Sequence, residues 1–196
     1  MPKKSERTRQ RIVEAANRLI YHKGYNQTSF SDVVQAADVP RGNIYYYFKT
    51  KDEILAAAIR YRTERISQML DNWSGGYRTP IERLQRFLDI LTDSADAIVR
   101  YGCPMGSLNI ELGKEQPELQ EQAENLFKVF ESWLSDQFAE LGYAGRAHEL
   151  ALRLLAQGQG ISVIAQVHND PGFLRREKER LSRWLDRLAE GDDECA

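Results

Sequence analysis

The chain has 196 residues, 42% of them hydrophobic and 29% charged, with a formal net charge of −2. This is the composition of a globular protein of one or two compact domains, and no apolar run approaches the roughly 18 residues of a membrane span, so no membrane partner is expected. The basic opening MPKKSERTRQR is followed by no apolar signal core, and the two cysteines, Cys103 and Cys195, stand too far apart in sequence for a disulfide framework or a zinc cluster; a reducing, cytoplasmic location without metal or cofactor is expected.

The small net charge hides an asymmetry. Residues 1–65 hold 13 Lys/Arg against 7 Asp/Glu, whereas residues 66–196 hold 14 against 22. A basic third on an acidic remainder suggests that one end meets a polyanion and the other does not.

Helical periodicity runs through nearly every segment, and sustained strand alternation is absent. Ile12, Ala15, Ala16, Leu19 and Ile20 form the stripe of an amphipathic first helix, which Gly24 stops. Thr28 and Ser29 offer an N-cap to a short second helix with Phe30, Val33, Val34 and Ala37 on its apolar side. The stretch ADVPRG breaks it, and Pro40 suits the first turn of a third helix over residues 41–48. Thr50 and Glu53 then form a capping box before a long helix whose buried candidates run from Ile54 to Trp73. SGGYRTP, residues 74–80, reads as a linker. Further helices are expected near 80–100, 103–113, 117–141, 146–168 and 171–189. The fold class is therefore all-α: a three-helix N-terminal unit plus a helical bundle, about nine helices in all.

The third helix carries the functional question, because GNIYYYF places three tyrosines in a row. At about 100° per residue, Ile44, Tyr47 and Phe48 share one face, while Gly42, Asn43, Tyr45 and Tyr46 turn outward. Two short helices joined by a tight break and supported by a first helix have the layout of a helix-turn-helix, whose second short helix enters the major groove. Outward tyrosine hydroxyls reach phosphates, a glycine allows close approach, and Arg41 or Asn43 can read a base edge. Lys51 adds a cation at the next helix start.

On these residues the chain resembles the TetR family of bacterial regulators, through the string RIVEAANRLIYHKGYNQTSFSDVVQAADVPRGNIYYYFKTKDEIL. Gly24, Tyr45, Phe48 and Lys51 fall in family positions. Asp38 stands where glycine is more usual, and Pro40 where a serine or threonine would give a phosphate contact. The resemblance implies a DNA-binding domain over residues 5–65, with its helix-turn-helix motif at 29–48, and an effector-binding and dimerisation domain over 66–196. It implies no enzyme but a repressor that binds a palindromic operator in double-stranded DNA as a homodimer and is released by a small effector. The DNA contacts expected are Ser29, Ser31, Arg41, Gly42, Asn43, Tyr45, Tyr46, Tyr47 and Lys51.

The resemblance further implies that the last two helices build the dimer interface, with Leu154, Leu155, Gly158 and Ile161 on one and Leu181, Trp184 and Leu185 on the other. The same stripes would serve equally as intrasubunit core. Trp73, Phe87, Cys103, Met105, Phe127, Phe130 and Trp133 are the candidate effector lining, and the long helix after Lys51 is taken as the element joining both domains. YGCPMGSL resembles a sub-branch containing electrophile sensors, so a Cys103-based sensor is the alternative to a reversible effector. Cys195 lies among acidic neighbours and is expected to be inert. Glu111 and Glu115 read as a solvated face or as partners for a cationic ligand. An enzyme lacks any glycine loop or nucleophile motif here, and a scaffold without DNA binding fits the basic third poorly.

Overall fold

The computed structural model describes residues 4–192, with Lys4 and Arg41 given by their backbone alone; Cys195 falls outside them. Ten α-helices and no strand occur among the described residues: α1 Lys4–Lys23, α2 Phe30–Ala37, α3 Arg41–Tyr47, α4 Lys51–Gly76, α5 Pro80–Asp93, α6 Ala95–Tyr101, α7 Pro104–Glu115, α8 Pro117–Phe138, α9 Ala147–His168 and α10 Pro171–Ala189. The expected helix near 80–100 is two, because the backbone leaves helical geometry at Ser94 (φ −112°, ψ 17°). The expected linker is mostly helix as well. α4 continues through Gly76, which leaves only residues 77–79 as connection before Thr79 caps α5 in a box with Glu82.

The chain folds into two compact units. One comprises residues 1–66 and 104–127, the other 67–103 and 128–196. The first unit joins the N-terminal helices to α7 and the first half of α8. Its core joins Ile12, Ala16 and Ile20 of α1, Val33 of α2, Ile44 of α3, and Leu55 and Ile59 of α4 to Leu108 and Leu112 of α7. α4 is therefore not the sole helix with residues in both units; α8 has them too.

In the second unit α10 lays its apolar face on α5, and Leu84, Leu88, Leu174, Leu181 and Leu185 are buried. Polar contacts register the pair: Gln85 Nε2 donates to the Asp186 carboxylate at 2.9 Å, and Ser182 Oγ donates to Gln85 Oε1 at 2.7 Å. Arg83 is the buried cation here, 7% exposed, its guanidinium donating to Gln137, Glu140 and the Tyr77 carbonyl. Removing one of those partners would strand a charge away from water.

The residues expected at a dimer interface lie within the chain's own packing, α9 against α6 and α10, and α10 against α5. Leu154, Leu155, Ile161, Leu181, Trp184 and Leu185 are all buried within their own chain, and Gly158 is half-buried. The large apolar residues left outward on α9 are Leu152, Val163, Ile164 and Val167, 44%, 49%, 44% and 71% exposed. A 22-residue helix with a low amphipathic contrast has apolar residues on more than one face, and spacing alone does not say which face the chain itself covers.

Candidate nucleic-acid interface

The site is built from α2, the break and α3. Ser29 caps α2 in a reciprocal box: its Oγ accepts the Asp32 N–H at 3.1 Å, while the Asp32 carboxylate accepts the Ser29 N–H at 2.8 Å. The Ser29 N–H first, and then the Ser29 hydroxyl donating to the same carboxylate at 2.7 Å, hold the Asp32 carboxyl below its ordinary pKa. α2 ends at Asp38 in the left-handed region (φ 50°), whose N–H returns to the Gln35 and Val34 carbonyls. Aspartate tolerates this geometry at a modest cost, so the turn survives without the more usual glycine. Arg11 of α1 stabilises the same end by donating to the Ala37 and Asp38 carbonyls at 2.7 Å each. Pro40 stands at the N-cap of α3 rather than inside its first turn, and no side-chain bond caps that helix.

α3 divides as the wheel predicts. Ile44 and the following Phe48 are buried, at 0% and 3% exposure, with Val39 beside them in the same core. Gly42 and Asn43 are exposed, and a methyl group on Gly42 would meet nothing within 4 Å. Tyr45 is 48% exposed and Tyr46 75%. Tyr45 is braced by a near-parallel stack on Phe30, and Tyr46 by an edge contact with Tyr47, rings 5.0 Å apart in both pairs. Tyr47 itself is half-buried against the core. Lys49 Nζ donates to the Tyr45 carbonyl at the end of α3.

The remaining expected contacts separate. Ser31 is exposed beside them, whereas the Ser29 hydroxyl is taken up by its cap. The Arg41 side chain lies outside the described residues. Lys51 turns inward: its Nζ donates to the Tyr25 carbonyl at 3.0 Å and sits 4.0 Å from the Tyr25 ring centre. Its first task is therefore to hold the turn between α1 and α2.

That turn contains what the sequence did not disclose. Gly24, in the left-handed region (φ 84°), ends α1, and the next two N–H groups, of Tyr25 and Asn26, donate to Glu111 Oε2 and Oε1 at 2.8 Å each. Glu111 is thus neither a solvated carboxylate nor a cation partner. No local signal marks a bond to a residue 85 or 86 positions away.

Of the candidate effector residues, four aromatics assemble in the second unit. Trp73 meets Trp133 edge-on at 5.9 Å, and Phe87 meets Phe130 at 5.6 Å. Arg86 lies over Trp73, and Trp133 Nε1 donates to Ser74 Oγ at 2.9 Å. Cys103 is in this unit too, half-buried, its Sγ accepting from Gln159 Nε2 at 3.3 Å. Met105 and Phe127 belong to the first unit instead, Met105 packing on its core. An open groove of about 480 Å³ between α5 and α10, lined by Thr92, Arg175, Lys178, Glu179, Ser182 and Arg183, contains none of the expected lining.

An all-α chain presenting a capped helix-turn-helix with an exposed polar and aromatic recognition face is a DNA-binding regulator. Residues 12–58 match the model for bacterial regulatory proteins of the tetR family, and residues 80–180 match the C-terminal domain of LmrA/YxaF-like transcriptional regulators. An HTH-type transcriptional regulator of Lactococcus lactis is 28% identical over 93% of this chain and 95% of its own length. One of Mycobacterium tuberculosis is 31% identical over 83% and 86%. The transcriptional repressor DhaR of a Mycobacterium strain is 26% identical over 64% and 61%. Among solved structures, a TetR regulator from Chloroflexus aurantiacus superposes with TM-score 0.81 at 24% identity over 94% and 96%, a likeness of fold. The chain belongs to the TetR family and is a transcriptional regulator, not an enzyme. No helix among the described residues is long and apolar enough to cross a membrane.

Proposed function

We propose that the protein is a cytoplasmic, ligand-responsive repressor that binds a palindromic operator as a homodimer and leaves it when a small effector binds. The observation that carries this reading is the pair Tyr45 and Tyr46, exposed on a helix whose opposite face is core. Rigid phenols reach phosphate oxygens, and Asn43 and Arg41 at the front of the helix supply base-edge chemistry. Repression is the sign the name of the DhaR relative carries.

The homodimer uses the outer face of α9. Leu152, Val163, Ile164 and Val167 are exposed, and Ala156 and Gly160 between them are small and exposed, which lets a second copy of the helix cross closely. A two-fold pairing of this face repeats each recognition helix, so operator half-sites read as an inverted repeat spaced by about 34–36 Å or a multiple of it.

The aromatic group Trp73, Trp133, Phe87 and Phe130 favours an apolar or aromatic effector. Such a molecule releases DNA only by preferring the non-binding arrangement, and a tenfold loss of operator affinity needs about 1.4 kcal/mol of preference. Helix α4, with Trp73 near its end and Lys51 at its start, is the element whose tilt would change the spacing of the two recognition helices. Footprinting on DNA flanking the gene, with and without a small-molecule library, tests the reading; a protected inverted repeat lost on addition of an effector that also shifts Trp73 fluorescence supports it. Protection of no sequence at low salt ends it.

A second reading makes Cys103 the sensor, favoured by a half-buried thiol that touches Gln159 immediately before α7. Cys103→Ser would then abolish induction by electrophiles and spare induction by a reversible apolar effector.

A further inference from the structure

The turn between α1 and α2 offers consecutive backbone N–H groups in one direction, as anion-binding turns do. Here the anion is a side chain of the same unit. Glu111 accepts from both Tyr25 and Asn26 at 2.8 Å, one oxygen each. A Cβ on Gly24 would stand 2.9 Å from Glu111 Oε2, so only glycine admits the carboxylate at this distance. Other polar groups of the turn are held as well: Thr28 Oγ1 donates to the Gly24 carbonyl at 2.7 Å, Lys51 Nζ to the Tyr25 carbonyl at 3.0 Å, the Tyr25 hydroxyl to Asp52, and Asn26 Nδ2 to Glu115 Oε2 at 3.5 Å. Ser29, the cap of α2, follows directly, so the position of this turn sets where α2 begins.

The other end of α7 is fixed to the same helix. Arg62 of α4 donates to the Pro104 carbonyl at 2.8 Å and to Asn17 Oδ1 of α1 at 2.9 Å. Pro104 and Glu111 are about two helical turns apart. α7 is therefore tied to both ends of the second half of α1, with Leu108 and Leu112 in the core shared with Ile20, Leu55 and Ile59.

We propose that Glu111 is a positioning residue for operator recognition: by holding the Tyr25 and Asn26 amides it makes the seating of α7 set the placement of α2 and α3 against DNA. An axial shift of α7 by a single residue, about 1.5 Å, is enough to break a two-oxygen grip of this kind. α7 is continuous with Cys103, the residue at which the chain leaves the second unit, so the grip stands on a covalent path from that unit to the DNA-reading helices. The inference rests on DNA binding by this chain and is independent of what its effector is.

Charge provides the discriminating readout. Removing a carboxylate from a DNA-binding unit by electrostatics alone strengthens binding to a polyanion. Positioning predicts the opposite. Glu111→Gln keeps one acceptor but turns an amide N–H₂ toward the other amide, and Glu111→Asp keeps the charge but is too short to reach both. Both variants should bind the fragment protected by the wild type roughly tenfold more weakly, the loss expected for one charge-assisted bond. Glu121→Gln, which removes an exposed carboxylate of the same unit away from the turn, should bind at least as well as wild type. Amide hydrogen exchange of the free protein should show protection lost at Tyr25 and Asn26 and retained at Ile12 to Ala16. Unchanged protection at those two amides in Glu111→Gln, or wild-type or tighter operator binding by both Glu111 variants, would overturn the proposal. A wild-type chain that binds no DNA would instead overturn the repressor reading, leaving the exchange result to decide the grip.

Discussion

Tyr45 stacks on Phe30, ring centres 5.0 Å apart and planes 19° from parallel. A residue of the last turn of the recognition helix is thereby braced by the residue opening α2, while about half of its surface stays exposed. Tyr46 leans on the edge of Tyr47 and is 75% exposed. Tyr45→Phe and Tyr46→Phe should each weaken operator binding by about 1 kcal/mol, nearly equally across operator variants, because a phosphate bond carries little sequence information. Tyr45→Ala should in addition lower domain stability by about 1 kcal/mol through the lost stack, and Tyr46→Ala by less. Fluorescence anisotropy over a salt series, with parallel thermal melts, measures both; a Tyr46→Phe protein of unchanged affinity would remove the residue from the interface.

The turn between α2 and α3 yields opposite signs at its two supports. Asp38 is held at φ 50°, so Asp38→Gly should stabilise the protein by about 0.5 kcal/mol after loss of its exposed contact to Arg11. Arg11→Met should destabilise it by about 1 kcal/mol, since two carbonyls at the end of α2 lose their donor. Denaturant midpoints at constant slope give both numbers. Asp38→Gly melting below wild type would contradict the conformational argument.

Helix α9 separates association from folding. Val163→Glu or Val167→Glu should yield a folded monomer by sedimentation, with helicity kept and operator affinity lost. Leu155→Ala or Leu185→Ala, inside the chain's own core, should instead lower stability by about 2–4 kcal/mol. A Val167→Glu protein that stays dimeric would place the interface elsewhere.

Alkaline stability should report on Tyr25. Burial, followed by its bond to Asp52, pushes the phenol pKa well above its ordinary value of 10.0. With the folded value above the unfolded one, the native chain holds the proton longer. The contribution is complete below about pH 10 and declines as pH rises beyond it. Tyr25→Phe should remove this alkaline decline while lowering stability near neutrality. Asp32 works in the other direction, its carboxyl held low chiefly by the Ser29 N–H, so its contribution is present above the ordinary value of 3.8 and lost as pH falls below it. Melting temperatures of the wild type, Tyr25→Phe and Asp32→Asn across pH 3 to about 11 test both limbs.

The local elements were legible in the residues. Ser29 caps α2, Ile44 and Phe48 face the core, and Tyr45 and Tyr46 face out, because capping and a 100° helical step act over four residues or fewer. What the residues left open was which of several apolar faces meets which neighbour. Leu154 and Leu185 were equally good as interface or core; both are buried in the chain, Leu154 on α9, which packs on α6 and α10, and Leu185 on α10, which also packs on α5, while Leu152 and Val167 stay outward. Lys51 and Glu111 mark the sharpest division. By type and spacing one is a cation for phosphate and the other a solvated carboxylate, yet both are bound to the turn at Tyr25. A side chain's charge is written in the sequence, but its partner is set by which distant segments the core brings within hydrogen-bond distance, and for Glu111 those segments are 85 residues apart or more.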